Sequence, residues 1–147
     1  MSGETARRLE KSVSVVFSFS RGSVDRMISQ NNRLGVFFAP DNTATGETRS
    51  LVLASFRGVE AVNSLFEYHV NCLSVTPNID FDTLIGRNAT IRINAVAQDH
   101  PPRFYDGLLT DARWLGLQDG AHGYTVTLRP WLWLLSLRVN QRIFHDK

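Results

Sequence analysis

The sequence predicts an all-β, mainly antiparallel domain of about six strands with short helices between them, arranged as a barrel or a sandwich. Segment 66–74, FEYHVNCLS, alternates apolar and polar side chains as a half-buried strand does. Segment 89–97, ATIRINAVA, alternates in the same way, and the polar turn QDGAHG at 118–123 divides two further strand patterns. The chain has no internal repeat with a period of about 20–50 residues, which excludes solenoids and propellers.

The remaining elements follow in chain order. Residues 1–20 are rich in Arg and Ser with little periodicity, so we expect this N-terminal segment to be loosely held. RLGVFFA at 33–39 and RSLVLASFRG at 49–58 flank a polar turn and are candidates for a hairpin. DFDTLIG at 80–86 has an acidic start and a closing glycine, which suits a helical turn or two.

The last two strand patterns supply the rest of the expected sheet. RFYDGLLTDARWLGL at 103–117 is a long strand in which Gly107 marks a bulge or a close backbone approach. YTVTLR at 124–129 follows the tight turn. Alternation then predicts an interior that contains Phe66, Tyr68, Val70, Ile91, Ile93, Val126 and Leu128, with Cys72 on the same face.

Composition limits the functional classes. Apolar residues make up 43% and charged residues 20% of the 147 residues, as in globular proteins. The net charge of +2 is too small to indicate a nucleic-acid partner. One cysteine excludes a disulfide within the chain and a Cys-rich metal site. No apolar run approaches the ~20 residues that span a bilayer, so no membrane anchor is predicted.

The sequence contains no recognisable catalytic constellation. Its four histidines have no partners at metal-ligand spacing. The chain also has no nucleophile elbow, no P-loop and no dinucleotide-binding glycine motif. We therefore predict a protein that is not an enzyme, with no catalytic, cofactor-binding or metal-binding residues and no cofactor.

The apolar run near the C-terminus carries the strongest remaining signal. Residues 130–139, PWLWLLSLRV, predict a helix that begins at Pro130 and is apolar on every side. It is either a core plug that caps the open end of the barrel or a surface that meets another domain or subunit. We expect Leu134 and Leu135 to point inward, and we predict Trp131 and Trp133 as candidate interface residues.

Four blocks of the sequence carry a family resemblance. They are LASFRGVEAVNSLFEYHVNCLS at 53–74, DFDTLIGRNATIRI at 80–93, RFYDGLLTDARWLG at 103–116 and GYTVTLRPWLWLLSLRVNQRIFHDK at 123–147. In order and spacing they resemble the opening of VgrG proteins, the spike of bacterial type VI secretion systems. The resemblance implies a phage tail hub-like, six-stranded Greek-key or split β-barrel, the first of two related barrels in each hub subunit.

This resemblance also implies a function and a domain organisation. The chain would be a structural component of the spike and baseplate hub, a homotrimer that docks on the hexameric tube protein and meets baseplate components. It would reside in the bacterial cytoplasm before firing and be exported with the spike, outside the cell or into target cells. Residues 21–147 would form the first hub-like barrel domain of a truncated or partial VgrG, since family members continue into further domains.

One alternative function from another class stays open at this point. Flavin-binding split barrels have a similar topology, so the chain could be a small cofactor-binding protein or enzyme of that type. The sequence has no phosphate-gripping cluster, which favours the structural hub module.

Overall fold

The computed structural model describes residues 10–16, 35–39, 51–94, 101–118 and 120–138. They contain seven β-strands and one 3-10 helix. The strands are β1 (Glu10–Val16), β2 (Gly35–Phe38), β3 (Val52–Ala61), β4 (Glu67–Ser74), β5 (Asn88–Ile93), β6 (Arg103–Gln118) and β7 (Ala121–Arg129), and the 3-10 helix is Trp131–Leu137.

All seven strands belong to one antiparallel sheet with the order β1-β3-β4-β7-β6-β5-β2. Strands β5, β6 and β7 follow one another as hairpins, while β4 lies beside β7, which is a Greek-key arrangement. The sheet curls into a half-barrel in which β2, at one end, approaches β3 near the other. The predicted all-β, antiparallel hub-like fold is confirmed.

The hairpin predicted from residues 33–39 and 49–58 is wrong. Strand β2 pairs with β5, from Gly35 opposite Ile93 to Phe38 opposite Thr90, and β3 pairs with β1 and β4. Both segments are strands, but local alternation says nothing about which strand lies beside which. Their partners are set by the barrel, whose two ends bring β2 near β3 without a ladder between them in the described residues.

Strand β1 corrects part of the expectation for residues 1–20. Glu10–Val16 pairs with β3 along its whole length, from Glu10 opposite Ala61 to Val16 opposite Ser55. This stretch reads EKSVSVV, and its alternating β-branched valines favour a strand once β3 offers an edge. Residues 1–9 and 17–20 lie outside the described residues, and the domain boundary at residue 21 stays a prediction.

The core lies on the concave face of the sheet. Tyr68, Val70, Ile91, Val126 and Leu128 are buried there as predicted, while Phe66 and Ile93 are partly buried and pack against the cluster. The same buried cluster also contains Phe37, Ala39, Leu51, Leu53, Phe56, Cys72, Leu84, Ala89, Tyr105, Leu109 and Tyr124. Because successive side chains alternate between faces, Glu67, His69, Thr127 and Arg129 lie on the opposite, convex face.

The long hairpin of β6 and β7 extends this framework beyond the core. Its register shifts between Leu109 and Asp111 and again between Trp114 and Gly116. Gly107 is a close-approach position, because a Cβ built there would lie 3.0 Å from the Leu128 Cβ. The first register shift places Asp111 opposite Thr127, so the convex side of β6 carries polar groups next to those of β7.

Segment 80–86 forms the predicted helical turn. The backbone N–H of Asp82 donates to the Asp80 carboxylate over 3.1 Å, and the N–H of Ile85 donates to the Phe81 carbonyl over 2.9 Å. Gly86 ends the turn with a φ of 83°, a left-handed conformation that glycine adopts without strain. Leu84 of this turn is buried in the core, and the Gly86 N–H donates to the Leu109 carbonyl over 2.7 Å, so the turn packs against β6 and the core.

Candidate interaction surface

The 3-10 helix begins directly after β7. Pro130 has an extended backbone and precedes the first helical residue, and its carbonyl accepts a hydrogen bond from the Trp133 N–H over 2.9 Å. The helix ends as the Arg138 N–H donates to the Leu135 carbonyl over 3.3 Å. Both bonds join residues three apart, which is the 3-10 pattern, and seven residues is long for such a helix.

Three residues per turn arrange the side chains of this helix in ridges. Residues three apart eclipse one another, so Trp131, Leu134 and Leu137 form one ridge and Leu132 and Leu135 form a second. All five are exposed, with Trp131 at 67%. We call these five side chains the apolar helix surface.

The prediction that Leu134 and Leu135 point inward is wrong. They are 44% and 60% exposed, and none of the residues 131–137 is buried. The core-plug interpretation therefore fails for this helix. The physical reason is the contact with the sheet: the helix is oriented with Trp133 over Arg129 of β7, and Trp133 is the one half-buried residue of the helix.

Trp133 is anchored to the sheet by a cation–π contact. It is the half-buried member of the two predicted interface tryptophans, and the Arg129 Cζ lies 4.9 Å from the centroid of its ring. That distance is within the range of about 6 Å over which a guanidinium is attracted to an indole face. Trp131 is exposed to solvent, so the two tryptophans lie in different environments.

Arg129 is itself fixed by two neighbours on the convex face. Its Nε donates to the Glu67 Oε2 over 2.7 Å, and its Nη2 lies 2.6 Å from the same oxygen. Its Nη1 donates to the Thr110 Oγ1 over 2.9 Å. Because the guanidinium is planar and these partners occupy its edge, its face remains available for Trp133.

The ion pair lies in a polar groove on the convex face of β4, β7 and β6. The His69 Nε2 is 2.9 Å from the Glu67 Oε1, so both oxygens of that carboxylate have partners. The Thr127 hydroxyl lies 3.5 Å from the His69 Nδ1. The groove has a volume of about 450 Å³ and is lined by Glu67, His69, Thr110, Asp111, Arg113, Thr125, Thr127 and Arg129.

A second exposed apolar patch lies at the distal end of the β6–β7 hairpin. Trp114, Leu115 and Leu117 are 62%, 47% and 69% exposed. The Trp114 ring lies 6.4 Å from the His122 ring, across the hairpin. This patch lies beyond the core, where β6 has passed the end of β5.

Two side chains of the core have raised pKa values. Burial raises the pKa of the Cys72 thiol well above its ordinary value, which keeps the thiol protonated and poorly nucleophilic. Burial also raises the pKa of Tyr68, and so does the hydrogen bond that its hydroxyl donates to Glu60 over 2.5 Å. Both effects are those of packed interior side chains.

The described residues contain neither a cluster of metal ligands nor a membrane-spanning helix. In that part of the chain, no three His, Cys, Asp or Glu side chains come together as ligands for a metal ion. The same residues include no helix with the length and apolar character needed to cross a bilayer.

The chain matches the model of a known protein family over more than half of its length. Residues 59–147 match the family model of the phage tail baseplate hub (GPD). The chain belongs to this family. The matched segment runs from β3 to the last residue and so includes β4, β6, β7 and the 3-10 helix that carry the groove and the apolar helix surface.

The chain is also similar to three spike proteins of Pseudomonas aeruginosa. Over 97 residues, or 66% of this chain, it is 29% identical to type VI secretion system spike protein VgrG1a, 30% to VgrG1b and 28% to VgrG1c. The matched part is only 13–15% of the length of these curated relatives. The predicted resemblance is confirmed, and the chain is a VgrG-like phage tail hub region.

The sequence identified the helix tryptophans but missed the pair that anchors Trp133. Alternation along β4 and β7 places Glu67 and Arg129 on the face away from the core, which was visible in the sequence. Their contact depends on the register that sets Tyr68 opposite Leu128, and no local pattern reveals that register. The sequence signal for the contact between Arg129 and Trp133 is an arginine directly before the Pro-Trp-x-Trp motif.

Proposed function

We propose that this chain is a structural component of a type VI secretion spike and baseplate hub, with no catalytic role. The observation that carries the proposal is the match of residues 59–147 to the phage tail baseplate hub family. The three spike proteins that share 28–30% of the matched residues point to the same machine. In this proposal the chain assembles as a homotrimer that docks on a hexameric tube protein and meets baseplate components.

The apolar helix surface supports an assembly role. It gathers five large apolar side chains on one short helix, whereas isolated exposed apolar residues are ordinary on protein surfaces. Burying one such side chain completely contributes about 1.5–3 kcal/mol, so a neighbouring hub subunit that covered several of them would bind favourably. We assign Trp131 and Trp133 to this interface, with Trp131 in direct contact with the neighbour and Trp133 mainly supporting the helix.

The proposed location follows from the proposed machine. A spike component is made in the bacterial cytoplasm, waits there in the assembled apparatus before firing, and leaves the cell with the spike. The three relatives are secretion spike proteins by name, and export of this chain to the outside or into target cells is the corresponding proposal.

Self-association of the protein tests the proposal. Sedimentation velocity over a range of concentrations should show a trimer for the wild-type chain and weaker association for Trp131→Ala. Trp114→Ala is a matched control, because Trp114 is exposed to a similar extent, 62% against 67%, but lies on the β6–β7 hairpin. It should leave the association unchanged if the helix is the interface.

The same preparation tests the alternative function. A purified chain with the absorption spectrum of a bound flavin, together with a monomeric mass at every concentration, would contradict the structural hub module and favour a cofactor-binding split barrel. Association that is equally weakened by Trp131→Ala and Trp114→Ala would contradict the assignment of the interface to the helix.

A further inference from the structure

We infer that Glu67 and Arg129 are positioning residues that set the orientation of the apolar helix surface through Trp133. The inference deepens the proposed function, because the surface that they orient is the proposed hub interface. Glu67 is at the start of β4, Arg129 at the end of β7, and Trp133 in the helix that follows.

The guanidinium of Arg129 has a fixed orientation. Three of its nitrogen atoms contact Glu67 or Thr110 at distances of 2.6–2.9 Å, so rotation about the side-chain bonds would break several contacts at once. The partners belong to β4 and β6, on either side of β7. Arg129 is therefore held from two neighbouring strands, and its side chain is only 23% exposed.

The orientation of the helix depends on that of the Arg129 guanidinium. None of its seven residues is buried, so packing into the core does not fix its rotation about its own axis. The Trp133 ring lies over the fixed guanidinium at 4.9 Å, and only Pro130 separates Arg129 from the first helical residue. With Trp133 docked, the ridge of Trp131, Leu134 and Leu137 is turned to the outside.

Loss of the ion pair should change the orientation of the helix more than the stability of the fold. The ion pair lies on the convex face and outside the core cluster, so its loss leaves the packed interior intact. The Glu67 side chain is 42% exposed, so solvent screens the pair from one side and the pair contributes less to folding stability than a fully buried pair would. Its loss should instead free the Trp133 ring and allow the helix to adopt several orientations, which weakens any interface that requires one of them.

Fluorescence quenching of Trp133 measures this orientation directly. The chain has three tryptophans, so Trp114→Phe and Trp131→Phe together leave Trp133 as the sole reporter. Acrylamide quenching in this background should increase with Arg129→Ala, Arg129→Lys and Glu67→Gln. Loss of a cation–π contact of ordinary strength should lower the population of the docked ring, relative to the undocked ring, by about two- to fivefold.

Arg113→Ala is the matched control for these variants. Arg113 lies on the same convex face and its Nε donates to Asp111 over 3.0 Å, but its partner is this carboxylate rather than Glu67. This control should leave the quenching of Trp133 unchanged. Circular dichroism melts verify that each variant is folded, and if Arg129→Ala does not fold, Arg129→Lys and Glu67→Gln decide the question.

The outcomes distinguish this inference from the proposed function. Unchanged quenching in folded Arg129→Lys and Glu67→Gln would overturn the positioning role, whatever the assembly state of the protein. Increased quenching together with weaker trimer formation in the three-tryptophan chain is the expected result. Increased quenching with no trimer in the wild type would support the positioning of Trp133 by Glu67 and Arg129. It would reject the proposed function and the hub interface that the apolar helix surface was proposed to form.

Discussion

The guanidinium of Arg129 lies over the ring of Trp133, with 4.9 Å between the Arg129 Cζ and the ring centroid. Two positions earlier in the helix, Trp131 is 67% exposed. The two tryptophans of the Pro-Trp-Leu-Trp motif therefore differ in environment although only one residue separates them in the sequence. One is anchored to the sheet by a charged side chain, and the other is available to a partner.

The two tryptophans should accordingly differ in their effect on stability. Trp131→Ala should change the free energy of unfolding by no more than about 0.5 kcal/mol, as exposed substitutions do. Trp133→Ala should cost at least about 0.5–1 kcal/mol, because it removes the stack on Arg129. Urea denaturation of the monomeric protein measures both values. Equal and large losses would mean that both rings belong to the folded core and that the interface assignment fails.

Gly58 should not tolerate a side chain. A Cβ built on Gly58 would lie 2.5 Å from the Tyr68 Cδ1, within the core between β3 and β4. Gly58→Ala should therefore destabilise the domain by about 1–3 kcal/mol through overpacking. Gly86→Asn is the control, since Gly86 has open space around it and asparagine tolerates its positive φ. A loss as large in the control would exclude the close approach as the cause.

Stability should fall at alkaline pH through Tyr68. Burial and the hydrogen bond to Glu60 raise the pKa of Tyr68, so the folded chain keeps a proton that the unfolded chain releases above about pH 10. The folded state then binds more protons, and the free energy of unfolding decreases as pH rises through this range. Below it, this contribution is fully present. Urea titrations between about pH 8 and pH 11 should show a shallower decline for Tyr68→Phe than for the wild type; parallel curves would contradict the account.

Cys72 should be unreactive in the folded protein. Its thiol is buried and its pKa is raised by burial, so both access and thiolate formation are suppressed. Alkylation by iodoacetamide at neutral pH should be more than about 10³-fold slower in the native protein than in denaturant, if modification requires global unfolding. A thiol introduced at the exposed Val62 provides the control. Native reaction of Cys72 at the rate of that control would show that β4 is open to solvent.

Much of the sheet could be predicted from period-2 alternation. Strands β4 and β7 have one face toward the core, and their sequences alternate between apolar and polar residues accordingly. Val70 and Val126 are buried members of these alternating patterns. Pairing over long sequence separations could not be predicted. The β2–β3 hairpin was wrong because two strand patterns and a turn between them are equally compatible with partners elsewhere in a barrel.

The apolar helix surface was only partly predicted from the sequence. The apolar run identified a helix and its tryptophans, but composition alone does not distinguish a 3-10 helix from an α-helix over seven residues. Leu134 and Leu135 were predicted to point inward because an apolar helix was expected to pack on the core, and the apolar pattern does not reveal the contact of Trp133 with Arg129. The anchoring pair was missed because Glu67 and Arg129 are 62 residues apart, and only the β4–β7 register joins them.

Native mass spectrometry of complexes isolated through a tag on this protein in its source bacterium tests the central claim most directly. The account predicts particles with three copies of the protein together with a hexameric tube protein of the secretion machine, and loss of these particles with Trp131→Ala but not with Trp114→Ala. A protein recovered as a monomer from cells that are assembling the secretion machine, without any of its components, would contradict the claim that this chain is a structural module of the spike hub.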